Sequence, residues 1–194
     1  ACGGSSAPAT TATEAPAETE AAAPAETEAA AETEAPAAEA AKVYNVGICQ
    51  LVQHPALDAA TQGFVDALKS ELGAENVDID VQVAAGDFSS CSTVVNGFLA
   101  KGVDLIMGNA TAALQAAASA TNTIPVLGTS VTDYATALEI DASKWNGTVG
   151  TNVSGTSDLA PLDKQAAMIK EWFPAAKTVG LLYCSAEANS KYQV

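Results

Sequence analysis

Apolar and polar segments alternate from residue 42 onward in a way that predicts strands and helices in turn. Residues 44–52 form a nearly continuous apolar run, which is typical of a strand covered on both faces. Residues 55–68 then place apolar side chains at helical spacing. Pro55 suits the first turn of this helix, because the amide hydrogen that proline lacks would be unpaired there. A buried strand therefore leads into a helix.

The same alternation continues through the middle of the chain. Residues 77–83 alternate with a period of two, which indicates a strand with one wetter face at the edge of a sheet. Asp87 or a neighbouring serine can cap the following helix, and Gly102 ends it. Further short buried strands are predicted at residues 103–109 and 123–128. This spacing predicts right-handed βαβ units and thus an α/β fold with a doubly wound parallel sheet.

The last part of the chain predicts one more helix and one more strand. Residues 162–173 are amphipathic and are followed by Pro174, and residues 177–184 have the pattern of a buried strand. One helix and one strand cannot form a second lobe, which needs about 100 residues. We therefore expect a C-terminally truncated fragment, whose final residues either pack on the first lobe or leave apolar surface exposed.

Small polar residues follow three successive predicted strands. Because ligands of open parallel sheets bind outside the carboxyl ends of the strands, these residues predict a hydrogen-bonding cradle for a small molecule. For the segment after the third strand, simple capping of the next helix is an equally good explanation. The candidate contacts are Gln50, His54, Asn109, Ala110, Thr111, Ser130, Val131, Thr132 and Asp133.

Residues 1–41 have a different composition from the rest of the chain. Ala1-Cys2-Gly3-Gly4-Ser5-Ser6 is typical of the end of a lipoprotein signal, in which the cysteine becomes the lipidated first residue. The following residues are almost wholly Ala, Glu, Thr and Pro, and have no large apolar side chain to bury. The sequence predicts a disordered tether lipidated at Cys2, and a disordered tail without an anchor is the alternative.

Charge and motifs exclude several classes of function. The net charge is −15, and the part from Lys42 onward carries 15 acids against 8 lysines with no basic stripe, which argues against nucleic acid as a partner. The single histidine has no nucleophile motif beside it, and four cysteines at positions 2, 49, 91 and 184 lack metal-ligand spacing. Nucleotide-binding glycine motifs are also absent. We expect no enzyme activity, no cofactor and no metal, and at most one disulfide if Cys2 is lipidated.

Several segments carry a family resemblance. Residues 50–64, Gln-Leu-Val-Gln-His-Pro-Ala-Leu-Asp-Ala-Ala followed by Gly-Phe, resemble the opening of the substrate-binding lipoproteins of an ABC-transporter family whose characterised members are linked to aromatic amino acids. Residues 110–113 and 129–134 resemble the family patterns Ala-Thr-Pro-Ala-Ala and Thr-Ala-Val-Thr-Asp-Pro, with departures in each. Residues 145–158 resemble its glycine-containing crossover between two lobes. The resemblance runs from about Lys42 to the end.

The resemblance implies a type I periplasmic-binding fold. It divides the chain into a lipoprotein N-terminus and linker at 1–41, a first α/β lobe at 42–155, and a crossover with the beginning of a second lobe at 156–194. In the crossover and after the last predicted strand it adds candidate ligand contacts: Ser157, Asp158, Glu187, Asn189 and Ser190.

The implied function is capture of a small solute by an extracytoplasmic lipoprotein of an ABC importer. The resemblance implies that the solute is an amino acid, since the characterised members of the family are linked to aromatic amino acids. The partners would be the permease subunits and, through lipidated Cys2, the outer face of the cell membrane. We expect a monomer. Amides and hydroxyls near Thr111 and Ser130 suit a carboxylate group of the solute. Its ammonium or polar groups can be received by Gln50, His54, Asp133 and Glu187. An extracellular ligand-sensing domain of the same fold is the alternative.

Overall fold

The computed structural model describes residues 42–194, so the predicted lipidation site at Cys2 and the predicted tether lie outside the described residues. The described part contains five strands and six α-helices. The strands are β1 (Tyr44–Gln50), β2 (Val77–Val83), β3 (Leu105–Asn109), β4 (Val126–Val131) and β5 (Val153–Ser157). The helices are α1 (Pro55–Leu72), α2 (Phe88–Lys101), α3 (Thr111–Ala120), α4 (Tyr134–Ala137), α5 (Leu162–Trp172) and α6 (Ala188–Gln193).

The five strands form one parallel sheet in the order β2-β1-β3-β4-β5. The predicted doubly wound α/β fold is confirmed, and β2 lies at the edge as its alternating pattern indicated. The chain runs outward from β1 to β2 and then returns to place β3 on the other side of β1. The carboxyl ends of β1 and β3 are therefore neighbours at the point where the winding reverses, which is where sheets of this kind bind ligands.

Helices cover both faces of the sheet. On one face, Phe64, Val65 and Leu68 of α1 pack against Val46, Ile48 and Met107, which are at most 2% exposed. On the other face, α2 and α3 bury a larger cluster that is typified by Phe98 and Leu114. Burial on both faces explains why the central strand β1 is almost continuously apolar, whereas the edge strand β2 alternates.

Two of the cysteines belong to this core. Cys49 and Cys91 are both fully buried, with Sγ of Cys49 lying 4.0 Å from the carbonyl oxygen of Cys91. Both are free thiols, as is the exposed Cys184. Interaction with the Cys91 side chain, together with burial, raises the pKa of Cys49 and keeps this thiol in its unreactive protonated form.

The strand predicted at 177–184 is absent, and this prediction was wrong. These residues have no strand geometry, and Leu181 and Leu182 are exposed. A strand needs a hydrogen-bonding neighbour, and within residues 42–194 no other strand runs beside this segment. The neighbouring α5 is likewise exposed, with Trp172 at 69%. Of the two outcomes expected for this end of the chain, exposed apolar surface is the one found for these residues.

The crossover segment contributes a strand rather than only a loop. β5 pairs with β4 through Val153, Ser154 and Gly155, so the first sheet extends across the predicted lobe boundary at residue 155.

Of the helices in the described part, none is both long and apolar enough to cross a membrane.

Candidate functional site

A cavity of about 250 Å3 lies beyond the carboxyl ends of β3 and β4. Five of the residues predicted from the sequence line it: Ala110, Thr111, Ser130, Glu187 and Asn189. Its wall combines the start of α2, the start of α3, the end of β4 and the segment that leads into α6. The edge of the sheet that the strand pattern indicated therefore does hold a concave site.

The amino terminus of α3 faces this cavity without a side-chain cap. The N-cap residue is Ala110, and no side chain hydrogen-bonds to the first amides of the helix. Simple capping of the helix, the alternative explanation for this segment, is therefore not what the structure shows. Ala110, Thr111 and Ala112 all line the cavity, so these backbone amides and the hydroxyl of Thr111 are placed where an anionic group can accept hydrogen bonds from them.

Gly108 allows α3 to sit this close to the sheet. A Cβ atom at this position would lie 2.7 Å from the backbone nitrogen of Leu114, a distance at which the helix would have to move. The amide of Ala110 donates to the carbonyl of Thr129 at 3.0 Å, which fixes the turn between β3 and α3 against β4. The start of the helix is thus held in place by backbone contacts.

The turn after β3 and the end of β4, which both line the cavity, each contain a non-glycine residue with positive φ. Ala110 has φ 93° and Ser130 has φ 56°, and only one further non-glycine residue of the described part, Glu139, shares this property. Ser130 lies where the register between β4 and β5 shifts, so the end of β4 is a bulge. Bulges and left-handed residues redirect side chains and are frequent beside binding sites, where the surrounding structure holds them.

Carboxylates supply the charge of the cavity. Asp87 and Glu187 line it, and no lysine or histidine is among the lining residues. Hydrogen bonds from the Ser90 backbone amide and side chain lower the pKa of Asp87 and keep it ionised at neutral pH. The Ser90 amide contact, at 2.9 Å, also makes Asp87 the N-cap of α2, as predicted. The lining of the cavity therefore combines uncapped amide donors with two acidic residues.

Gln50 and Asn109 point away from the solvent and hold α1 to the sheet. The side-chain amide of Gln50 donates to Asp58 at 2.6 Å, and its carbonyl oxygen accepts from Thr61 at 2.7 Å. Nδ2 of Asn109 donates to Thr61 and to the carbonyl of Leu57. Neither Gln50 nor Asn109 lines the cavity, and their exposed fractions are 2% and 0%. The structure thus places them in a buried network behind the site.

His54 is the N-cap of α1. Its Nδ1 accepts a hydrogen bond from the amide of Ala56 at 3.2 Å, and the residue is exposed and outside the cavity. Asp133 has the same role for α4, since it accepts from the amide of Thr136 at 2.7 Å. Both residues therefore have a structural task at the carboxyl edge that explains their presence without a ligand.

The remaining predicted residues do not line the cavity. Val131 is fully buried, and the carbonyl of the neighbouring Thr132 accepts from the hydroxyl of Ser157 at 2.8 Å. Ser190 donates to the carboxylate of Glu187 at 3.1 Å, so it positions a group that does line the cavity. Burial, followed by the negative charge of Asp158, raises the pKa of Tyr134 to about 12.

Sequence reasoning missed several residues of the cavity wall. Leu51, Asp87, Phe88 and Gln115 line it, yet none was a candidate contact. The sequence pattern places Leu51 in a predicted strand and makes Asp87 a predicted helix cap. A signal did exist, because the turn after β2 also lies at the carboxyl edge of the same sheet.

A larger depression of about 530 Å3 lies at the opposite edge of the sheet. Its charged groups include Asp80 and Lys101, which pair with each other at 2.5 Å, and it faces open solvent at the amino ends of the strands. It lacks the converging turns of the first cavity, which therefore remains the candidate site. Within the described residues, no group of three or more histidine, cysteine or acidic side chains is placed to hold a metal ion.

Comparison with known proteins identifies relatives over this region. The family model described as ABC transporter substrate binding protein matches residues 45–194. A protein named "Tyrosine-binding protein" from Clostridioides difficile is 40% identical over 158 residues, which cover 80% of this chain and 45% of that protein.

Two solved structures are similar in both sequence and fold. One is described as an ABC domain in complex with L-Trp from Streptococcus pneumonia, with 38% identity and a TM-score of 0.72. The other, a conserved domain protein from Vibrio cholerae, has 37% identity and the same TM-score. Each match covers 78% of this chain and 51% of the other, so the chain spans about half the length of these relatives.

The resemblance noted in the sequence is thereby confirmed, as is the expectation of a binding protein rather than an enzyme. The match to the family model covers well over half of the chain. The chain belongs to the family of ABC transporter substrate-binding proteins.

Proposed function

We propose that this protein is the extracytoplasmic solute-binding lipoprotein of an ABC importer, and that it captures an aromatic amino acid between two lobes and delivers it to a membrane permease. The observation that carries the proposal is the composition of the cavity. The lining residues include the uncapped amino terminus of α3, the hydroxyl residues Thr111 and Ser130, and the acidic residues Asp87 and Glu187.

This arrangement matches the two charges of an amino acid. The carboxylate of the solute would accept hydrogen bonds from the amides at the start of α3, where the helix dipole also favours negative charge. Its ammonium group would face the carboxylates, which have no competing basic residue in the cavity wall. A volume of about 250 Å3 lies below the range of roughly 300–1,000 Å3 common for drug-sized ligands, which suits a small solute.

The relatives support the choice of an aromatic amino acid. One is named for tyrosine and another was crystallised with L-Trp. Since this chain spans about half of their length, the second half of the binding site is expected on the remaining part of a two-lobed protein. Closure of two lobes on the solute would be a hinge motion, which the ligand favours through its contacts with both lobes.

Calorimetric titration of the complete gene product with L-tyrosine, L-tryptophan, D-tryptophan and L-alanine tests the proposal. We expect binding of the L-aromatic amino acids and much weaker binding of the D-isomer, because reversal at Cα exchanges the positions of the two charged groups relative to the side chain. Absence of measurable binding to any aromatic amino acid would contradict the proposal.

Anchoring by lipid at Cys2, and with it a location on the outer face of the membrane, is a separate part of the proposal. Its support is the Cys-Gly-Gly-Ser-Ser segment followed by the Ala/Glu/Thr/Pro tract. Metabolic labelling with a radioactive fatty acid should mark the wild type and leave a Cys2→Ser variant unlabelled. Co-purification with a permease and an ATPase would separate the importer from the alternative of a ligand-sensing domain.

A further inference from the structure

Phe88 is the one aromatic side chain, among the described residues, that lines the candidate cavity. It is the first residue of α2 and remains 48% exposed. An aromatic ring that keeps half of its surface in contact with water gains free energy when another apolar surface covers it. An apolar group of a ligand that covers the exposed ring of Phe88 would therefore stabilise the complex.

The position of Phe88 follows from the pattern of its helix. Cys91, Val95 and Phe98 form the buried stripe of α2 and are at most 1% exposed. Phe88 continues this stripe at the spacing of one turn. The helix α2 begins beyond the carboxyl end of β2, so its first residue lies outside the sheet. Phe88 therefore lines the cavity and is not part of the core.

The backbone that carries Phe88 is held on both sides. Asp87 caps α2, and the amide of Gly86, a residue with φ 92°, donates to the carbonyl of Leu51 at 3.0 Å. Leu51 also lines the cavity and packs on the core. Phe88 and Leu51 are thus two large apolar residues held in place at a cavity whose polar lining includes Thr111 and Ser130.

We propose that Phe88 contacts the ring of the bound amino acid and determines the preference for aromatic over small side chains. This inference rests on the proposed function. With the carboxylate of the solute at the start of α3, Phe88 and Leu51 provide the apolar surface onto which an aromatic side chain can pack. Offset or edge-to-face packing of two rings favours aromatic ligands beyond the gain from buried area alone.

Substitution of Phe88 in the complete gene product tests the inference. We expect Phe88→Ala to weaken binding of L-tryptophan and L-tyrosine at least about ten-fold, with Phe88→Leu intermediate and Phe88→Tyr close to the wild type. Binding of L-alanine, measured by competition at millimolar concentration, should change less than two-fold, because its methyl group does not reach the ring. Tyr44→Ala, at the opposite edge of the sheet, is the control for loss of an exposed ring and should leave affinity unchanged.

The outcomes separate this inference from the function on which it rests. If the wild type binds L-tryptophan and Phe88→Ala binds it within two-fold, the role of Phe88 is overturned while the proposed function stands. If the wild type binds no aromatic amino acid, both are overturned. An equal loss of affinity for L-alanine and L-tryptophan would show a general disturbance of the site and would also overturn the role in specificity. Circular dichroism and thermal unfolding confirm that each variant is folded.

Discussion

Thr61, in the middle of α1, accepts a hydrogen bond at 2.9 Å from the side-chain amide of Asn109, the last residue of β3. The same hydroxyl donates to Gln50 at the end of β1. A single threonine therefore joins one helix to the carboxyl ends of two neighbouring strands. Because these ends support the turn that leads into α3, the network sets the position of the cavity wall although it does not touch the cavity.

The first prediction concerns this buried network. Thr61→Val should lower the free energy of unfolding by about 1–3 kcal/mol, because it leaves Oε1 of Gln50 buried without a partner and removes one of the two hydrogen bonds donated by Nδ2 of Asn109. Thr61→Ser keeps the hydroxyl and is the matched control, with a loss below about 1 kcal/mol. Urea unfolding followed by circular dichroism measures both. Equal stability of Thr61→Val and Thr61→Ser would show that the hydroxyl contributes nothing.

The second prediction concerns the polar lining of the cavity. Thr111→Val combined with Ser130→Gly should weaken solute binding by about 1–3 kcal/mol by removing two hydroxyls from the site. Glycine is chosen at residue 130 because the left-handed φ of 56° would strain a β-branched side chain. Calorimetry with the amino acid that the wild type binds is the measurement. Thr148→Val, on an exposed loop outside the cavity, should leave affinity unchanged, and an unchanged affinity of the double variant would contradict the placement of the site.

The third prediction concerns the contact between β3 and α3. Gly108→Ala should destabilise the fold by about 1–3 kcal/mol, since the new methyl group meets the backbone of Leu114 and displaces the helix. Gly97→Ala is the control, because no atom lies within 4 Å of its added Cβ and alanine favours the helix there. Thermal unfolding should therefore show opposite shifts for the two variants. A neutral Gly108→Ala would mean that α3 can move away without cost.

The fourth prediction concerns pH. Burial, and then the charge of Asp158, raises the pKa of Tyr134 from 10.0 to about 12, so the folded state keeps this proton to higher pH than the unfolded state does. The associated stability is complete below pH 10 and is lost as the pH rises from 10 to about 12. Tyr134→Phe should lack this decline. The difference in unfolding free energy between the wild type and the variant should thus fall by up to about 2–3 kcal/mol over that range.

Urea unfolding at intervals of pH from 8 to 12 measures this difference, and the lysine titrations common to both proteins cancel in it. A constant difference across the range would show that Tyr134 titrates as it does in the unfolded chain. The hydroxyl of Tyr134 also donates to the carbonyl of Thr156 at 3.3 Å, so the substitution removes one contact with β5 at every pH. That loss shifts the whole curve and leaves its slope to report the titration.

Most strands and helices could be predicted from the sequence because each has its own local pattern of apolar and polar residues. The apolar run before Gln50 and the alternation in β2 predicted a buried strand and an edge strand, and both are confirmed. The strand at 177–184 was predicted from the same kind of run and does not form. Its failure shows that an apolar run specifies a strand only when another strand is present to accept its hydrogen bonds.

The residues of the candidate site could be predicted from the sequence only in part. The rule that ligands sit at the carboxyl ends of strands selected Ala110, Thr111 and Ser130, and all three line one cavity. It could not tell which polar residues of these turns face inward. Gln50 and Asn109 have the same local features as Thr111, yet their partners are Thr61 and Asp58 on a helix that only the folded chain brings beside them.

The sequence by itself determined the parallel α/β class, the order of helices and strands through β4, and the edge of the sheet at which a solute can bind, because periodicity and turn residues act over a few neighbouring positions. Only the tertiary structure decided which side chains line the cavity. That choice depends on contacts between residues far apart in the chain, such as the approach of α3 over Gly108 and the placement of Phe88 beyond the edge of the sheet.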